Sequence, residues 1–130
     1  MPANSQGAAT VAIIGAGFSG TAVAIQLLCR FSAGTIARPL HLVLIDPRAE
    51  TGAGVAYATR DYPYPLNVAA AQMSLDVASP DDFIQFARAQ GICAEGCDYL
   101  PRQVYGSYLQ ARLAQLLGAQ YTLEANARSA

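Results

Sequence analysis

The sequence predicts an α/β fold on three observations. A short apolar run at residues 11–14 breaks into glycines spaced G-x-G-x-x-G, a helix-compatible stretch follows at once, and a second apolar run, LHLVLID, closes on Asp46. Strand, helix and strand within about forty residues make the β–α–β unit from which parallel sheets are wound.

Residues 1–9 read as a flexible N-terminus. They lack the basic segment and the long apolar run of a signal peptide. Val11, Ala12, Ile13 and Ile14 form the continuous apolar run expected of a strand buried on both faces. From Thr21 onward, Ala22, Val23, Ile25, Leu27, Leu28 and Phe31 fit a helix packed on a sheet and ending near residues 32–34. After the loop SAGTIARP, the second run reads as another buried strand, stopped at Pro47 because proline cannot continue the ladder.

Residues 48–78 are rich in glycine, proline and tyrosine and hold no sustained period. A long loop with that much apolar content reads as functional rather than disordered. SPDDFIQFARAQG then reads as a helix, with Ser79 as N-cap, Pro80 in the first turn, Asp82 at the capping-box position and Gly91 as the stop. A further helix over residues 101–117 places Val104, Tyr105, Tyr108, Leu109, Leu113, Leu116 and Leu117 on one broad face and ends at Gly118. QYTLEANA alternates as a strand does.

Composition excludes several classes. The chain has 130 residues, enough for one domain, with 53% hydrophobic residues, 13% charged residues and a formal charge of −1. That balance argues against disorder and against electrostatic binding of nucleic acid. The tyrosines of YATRDYPYP read as loop packing rather than as a stacking platform for bases. No stretch is long enough to cross a bilayer, so the expectation is a cytoplasmic protein with neither membrane nor nucleic acid as partner.

Three cysteines, Cys29, Cys93 and Cys97, do not make a disulfide framework. Cys93 and Cys97 would share one helical turn if helical, but a zinc site needs two more ligands, so ordinary reduced thiols and no metal are expected. The single histidine, His41, reads as an edge or core residue and leaves little room for a Ser-His-Asp or metal-hydrolase constellation. Asp81 and Asp82 fit a helix start, while Glu50 and Asp61 have no fixed geometry, so neither pair is assigned chemistry.

The glycine motif has the context its chemistry demands, since it follows a buried strand and opens a helix. Gly15 permits the tight turn, Gly17 lets the backbone approach a pyrophosphate, and Gly20 allows close packing of helix on strand. The N–H groups of Phe18, Ser19 and Gly20 then face phosphate at the positive end of the helix dipole. Asp46, at the end of the second strand, supplies a carboxylate for a ribose diol. Its charge disfavours a 2′-phosphate, a preference that Arg48 softens. The motif alone does not separate FAD from NAD.

The strings VAIIGAGFSGTAVAIQLL, LVLIDPRAETGAGVAY, PLNVAAAQMS, DDFIQFA and LPRQVYGSYLQARL together resemble the amino-terminal part of the FAD-NAD(P)-binding protein family, a relative of flavin-dependent monooxygenases and amino-acid N-hydroxylases. The resemblance covers about residues 10–117. It implies a Rossmann-like, glutathione-reductase-like FAD/NAD(P)-binding fold, with residues 10–130 forming the N-terminal portion of that domain. It implies that Gly15, Gly17, Phe18, Ser19 and Gly20 hold the FAD pyrophosphate and Asp46 its ribose. Arg48, Leu66, Asn67 and Arg102 would lie near the cofactor. Arg102 could equally cap a helix or pair with Asp98, and Asn67 could satisfy loop backbone.

Members that resemble the chain continue into a second nucleotide-binding subdomain, so an incomplete portion is expected, its sheet edge at residues 121–127 covered by further chain or by an oligomeric partner. The leading expectation is the FAD-binding portion of a flavin-dependent oxidoreductase that takes hydride from NADH or NADPH, with no catalytic residue nameable because the flavin carries the chemistry. The alternatives are a dehydrogenase domain that binds only NAD, and a non-catalytic remnant that keeps the fold.

Overall fold

The computed structural model describes residues 7, 9–36, 39–48, 54–57 and 63–120. Two strands, β1 (Ala9–Ile14) and β2 (Leu40–Ile45), pair in parallel with Ala9 opposite Leu40 and Ile14 opposite Ile45. The helix α1 (Phe18–Ser32) connects them. This is the α/β, Rossmann-like β–α–β arrangement. Its helix forms where the sequence spaces Thr21, Ala24, Ile25 and Leu28 on one face, all of them buried. It ends where Ala33 N–H reaches the Cys29 carbonyl at 3.0 Å and Gly34, at φ 74°, turns the chain out.

A short helix α2 (Gly54–Tyr57), a 3-10 turn (Ala70–Gln72), α3 (Asp82–Ala89) and α4 (Arg102–Gln120) complete the described elements. The loops between them are zipped together by backbone: Leu66 N–H donates to the Leu100 carbonyl at 2.8 Å, Ala70 N–H to Asp98 at 2.9 Å and Arg102 N–H to Tyr64 at 2.8 Å. So residues 63–78 contain order that periodicity does not announce, because its partners lie about thirty residues on.

Two apolar clusters make the core, and α4 belongs to both. Leu113 packs with Ala24, Ile25, Leu28, Leu42 and Leu44 over the sheet. Val104, Tyr105, Tyr108 and Leu109 pack with Leu66, Phe83, Ile84 and Leu100 on the other side. The face read from the sequence of α4 is the face that is used, with Leu116 and Leu117 partly buried against the sheet cluster.

Three expectations are corrected. The strands are not buried on both faces among the described residues: β1 alternates half-buried and exposed positions, and Ile14 is 85% exposed. Only the side carrying Val11, Ile13, Leu42 and Leu44 packs against α1 and α4. The capping box of α3 does not form. Asp81 is the N-cap without a side-chain bond, Ser79 accepts Asp82 N–H through its carbonyl at 3.0 Å, and the Asp82 carboxylate goes elsewhere. It accepts Tyr108 Oη–H at 2.6 Å and both Nε (2.8 Å) and Nη2 (2.5 Å) of Arg112, because a bidentate pair with a cationic guanidinium outcompetes a single bond to a backbone amide.

The third correction is at Gly118, where α4 does not stop; it runs to Gln120. Cys93 and Cys97 sit in the irregular stretch before α4 and not on a helical turn. Gly91 does end α3, at φ 80°. The expected strand at residues 121–127 lies outside the described residues, as do residues 1–6 of the expected flexible N-terminus, and β1 starts at Ala9.

Candidate functional site

The glycine turn is built from the end of β1. Gly15 N–H continues the ladder by donating to the Ile45 carbonyl at 2.7 Å, and the chain then reverses at Gly15 with φ 95°, a value L side chains rarely adopt. Gly20, in the first turn of α1, packs against that reversal. A Cβ on Gly20 would fall on the Gly15 carbonyl and lie 3.1 Å from Ile13 Cγ2, so only glycine fits. Buried Ala16 carries a carbonyl that accepts Thr21 Oγ1–H at 3.2 Å.

Gly17 is the N-cap of α1, with no side chain to cap the helix and no acidic residue in the first turn. The first N–H groups of a helix have no intrahelical acceptor, so the Phe18, Ser19 and Gly20 amides and the positive end of the dipole meet no carboxylate from α1's own first turn. Ser19 is exposed. An anionic group fits this cradle.

Gly54 was not singled out by the sequence reading. It is buried, at φ 52°, and a Cβ there would stand 3.1 Å from Gly17 Cα and 3.6 Å from Phe18 N. It therefore forms a wall of the turn. Its signal is the TGAGVAY string, whose glycines fall in the stretch of sequence that holds no sustained period. On the far side of α2, a Cβ on Gly106 would stand 2.9 Å from the Tyr57 carbonyl, so α2 is gripped between the turn and α4. The aromatic rings follow the same path: Phe18, 40% exposed, lies 6.1 Å from Tyr57 and 6.0 Å from Tyr105, which are 5.1 Å from each other.

Asp46 sits one residue beyond β2 and its side chain is 4% exposed. Oδ2 accepts Ala16 N–H at 2.8 Å and Arg48 Nη2 at 3.3 Å; Oδ1 accepts Arg48 N–H at 2.8 Å and Arg48 Nε at 3.1 Å. The Arg48 side-chain bonds, then its backbone N–H, hold the carboxyl at about 2, well below the usual carboxylate value. Burial pushes the other way and is outweighed. The same contact raises the Arg48 guanidinium.

Gly15, Gly17, Phe18, Ser19, Gly20, Asp46 and Arg48 are thus gathered at one end of the strand pair. Asn67 stands in the zipped loops, and Arg102 opens α4 where those loops meet it. Asn67 is exposed, and Arg102 Nε donates to the Pro65 carbonyl at 3.2 Å. Asp98 is not its partner; that carboxylate accepts Glu95 N–H at 2.7 Å. Leu66 is core.

A separate cleft of about 440 Å³ between α1 and α4 is lined by Ile25, Cys29, Asp76, Asp82, Arg112 and Leu116, among others. Its charges are largely spent on each other through the Asp82–Arg112 pair, and burial followed by the Asp76 charge pushes the Cys29 thiol up, away from the reactive thiolate. All three cysteines are free and exposed. Among the described residues, no group of three His, Cys, Asp or Glu side chains could hold a metal, and no helix is long and apolar enough to cross a membrane.

The sequence matches the family described as FAD-NAD(P)-binding over residues 12–127. No curated protein matches the chain.

Proposed function

We propose that this chain, which belongs to the FAD-NAD(P)-binding family, holds the ADP part of FAD at the GAGFSG turn and serves as the FAD-binding portion of a flavin-dependent oxidoreductase. Dinucleotide binding follows from the family; FAD, the turn and the redox role are our reading. The observation that carries it is the cradle: an uncapped α1 N-terminus beside Gly17, closed behind by Gly54 and flanked by the Asp46 carboxylate. Pyrophosphate oxygens would accept from the Phe18, Ser19 and Gly20 amides, where helix dipole and free donors act together. Asp46, aimed by Ala16 N–H, would accept the ribose hydroxyls.

Bound flavin supplies two-electron chemistry, taking hydride from NADH or NADPH and passing electrons to an acceptor. The residues described here bind and orient; none is assigned a proton-transfer role. Reading the ligand as FAD rather than NAD rests on the resemblance of the later strings, PLNVAAAQMS and LPRQVYGSYL, because the turn presents the same surface to either adenosine diphosphate. The test is to denature the purified protein and identify the released nucleotide by absorbance and chromatography. Stoichiometric FAD is expected. NAD in its place supports the dehydrogenase alternative, and no nucleotide supports a remnant that has lost its ligand.

A further inference from the structure

We propose that the Arg48 guanidinium is a latch on the adenosine subsite: it occupies the Asp46 lone pairs that a ribose diol needs, and it leaves when nucleotide binds. The inference rests on the reading of the glycine turn as the dinucleotide site. It goes beyond that reading in making Arg48 a competitor of the ligand rather than one of its contacts.

A carboxylate offers about four lone-pair sites on its two oxygens. Two are taken by backbone N–H groups, Ala16 on Oδ2 and Arg48 on Oδ1, both at 2.8 Å. These belong to the fold and aim the carboxylate. The other two are taken by the Arg48 side chain, Nε on Oδ1 at 3.1 Å and Nη2 on Oδ2 at 3.3 Å. A ribose diol is also a pair of donors side by side, so the guanidinium stands where the two hydroxyls would.

The two kinds of bond differ in how readily they exchange. The Arg48 side chain is 45% exposed and its two contacts are longer than the backbone ones. Its guanidinium can return to water from that half-exposed position, and the ribose hydroxyls take over its two bonds to the buried carboxylate. The backbone bonds remain, so the carboxylate keeps its aim as the latch opens. Closed, the latch also covers the Asp46 charge, which otherwise stands beside the turn that attracts a pyrophosphate.

The experiment is calorimetric titration of the full chain and of Arg48→Met with ADP and with 2′-deoxy-ADP, with circular dichroism to check that the variant is folded. Removing the competitor should tighten ADP binding by at least about two- to fivefold, the gain that even an ion pair with both members exposed would support. The gain should shrink for 2′-deoxy-ADP, which lacks one of the two exchanging hydroxyls. Unchanged or weaker ADP binding by Arg48→Met, or an equal gain for both ligands, overturns the latch alone. Absence of ADP binding by both proteins overturns the latch together with the dinucleotide reading of the turn, which separates the two failures.

Discussion

The Asp46 carboxylate accepts the Ala16 N–H at 2.8 Å, fastening the end of β2 to the glycine turn across thirty residues of sequence. One buried side chain therefore serves the fold and the candidate site together, and changes at Asp46 should be felt in both. Asp46→Ala leaves the Ala16 N–H unsatisfied in a protected position, at a cost of about 1–3 kcal/mol. Urea unfolding should show that loss, and ADP titration should show weakened binding in the same variant.

The pH dependence has a definite sign. Folding holds the Asp46 carboxyl at about 2, below the roughly 3.9 of a free aspartate. Its contribution to stability is therefore complete above the unfolded value and is lost as pH falls from there through about 2. Acid unfolding of Asp46→Asn, compared with the parent, should lack that part of the slope below about pH 4.

The three glycines of the motif should rank differently for stability and for binding. A Cβ on Gly20 would meet the Gly15 carbonyl, so Gly20→Ala forces the turn open and should be the most destabilising, by roughly 2–3 kcal/mol or more. Gly15→Ala meets no atom within 4 Å but strains φ 95°, costing about 1–2 kcal/mol. Gly17→Ala makes only an ordinary 3.7 Å contact with Gly54 Cα and should be nearly neutral for folding while weakening ADP. Chemical denaturation and calorimetry on the three variants check the order.

Much of this region was legible because its signals are local. An apolar run, three glycines at fixed spacing and a helical period specify β1, the turn, α1 and β2 without reference to distant chain. Asp82 shows the limit. Its place before an apolar helix reads as a capping carboxylate, but its actual partners, Tyr108 and Arg112, stand 26 and 30 residues later. Gly54 shows the same limit, since its need for a missing Cβ comes from Gly17 and not from its neighbours. The composition of β1 does not tell its burial, because a strand of Val, Ala and Ile reads the same whether one face or both are covered.

The Asp82 network should behave as a unit joining α3 to α4. Tyr108 Oη donates to Asp82 and accepts Leu75 N–H at 3.1 Å, and the Arg112 guanidinium lies 5.5 Å from the Tyr108 ring centre. Tyr108→Phe removes both hydrogen bonds and should cost about 1–2 kcal/mol. A double-mutant cycle of Asp82→Ala and Arg112→Ala should give a coupling well above that of an exposed pair, which is about 0.2–1 kcal/mol.

Two tyrosines should resist alkaline titration. Burial first, then the neighbouring tyrosines for Tyr105 and Asp82 for Tyr108, pushes both phenols above the ordinary value of about 10. Because the folded values are raised, the associated stability is present below the unfolded value and is lost as pH rises past it. Absorbance near the phenolate band should show these two of the seven tyrosines ionising late, with unfolding.

The most direct test of the central claim is an ADP titration of the whole chain followed by backbone amide resonances. The account predicts saturable shifts at Gly17, Phe18, Ser19 and Gly20, joined by Ala16 and Arg48, and their loss in Gly17→Val. Shifts confined to the cleft around Cys29 and Arg112, or no shifts at all, would contradict it.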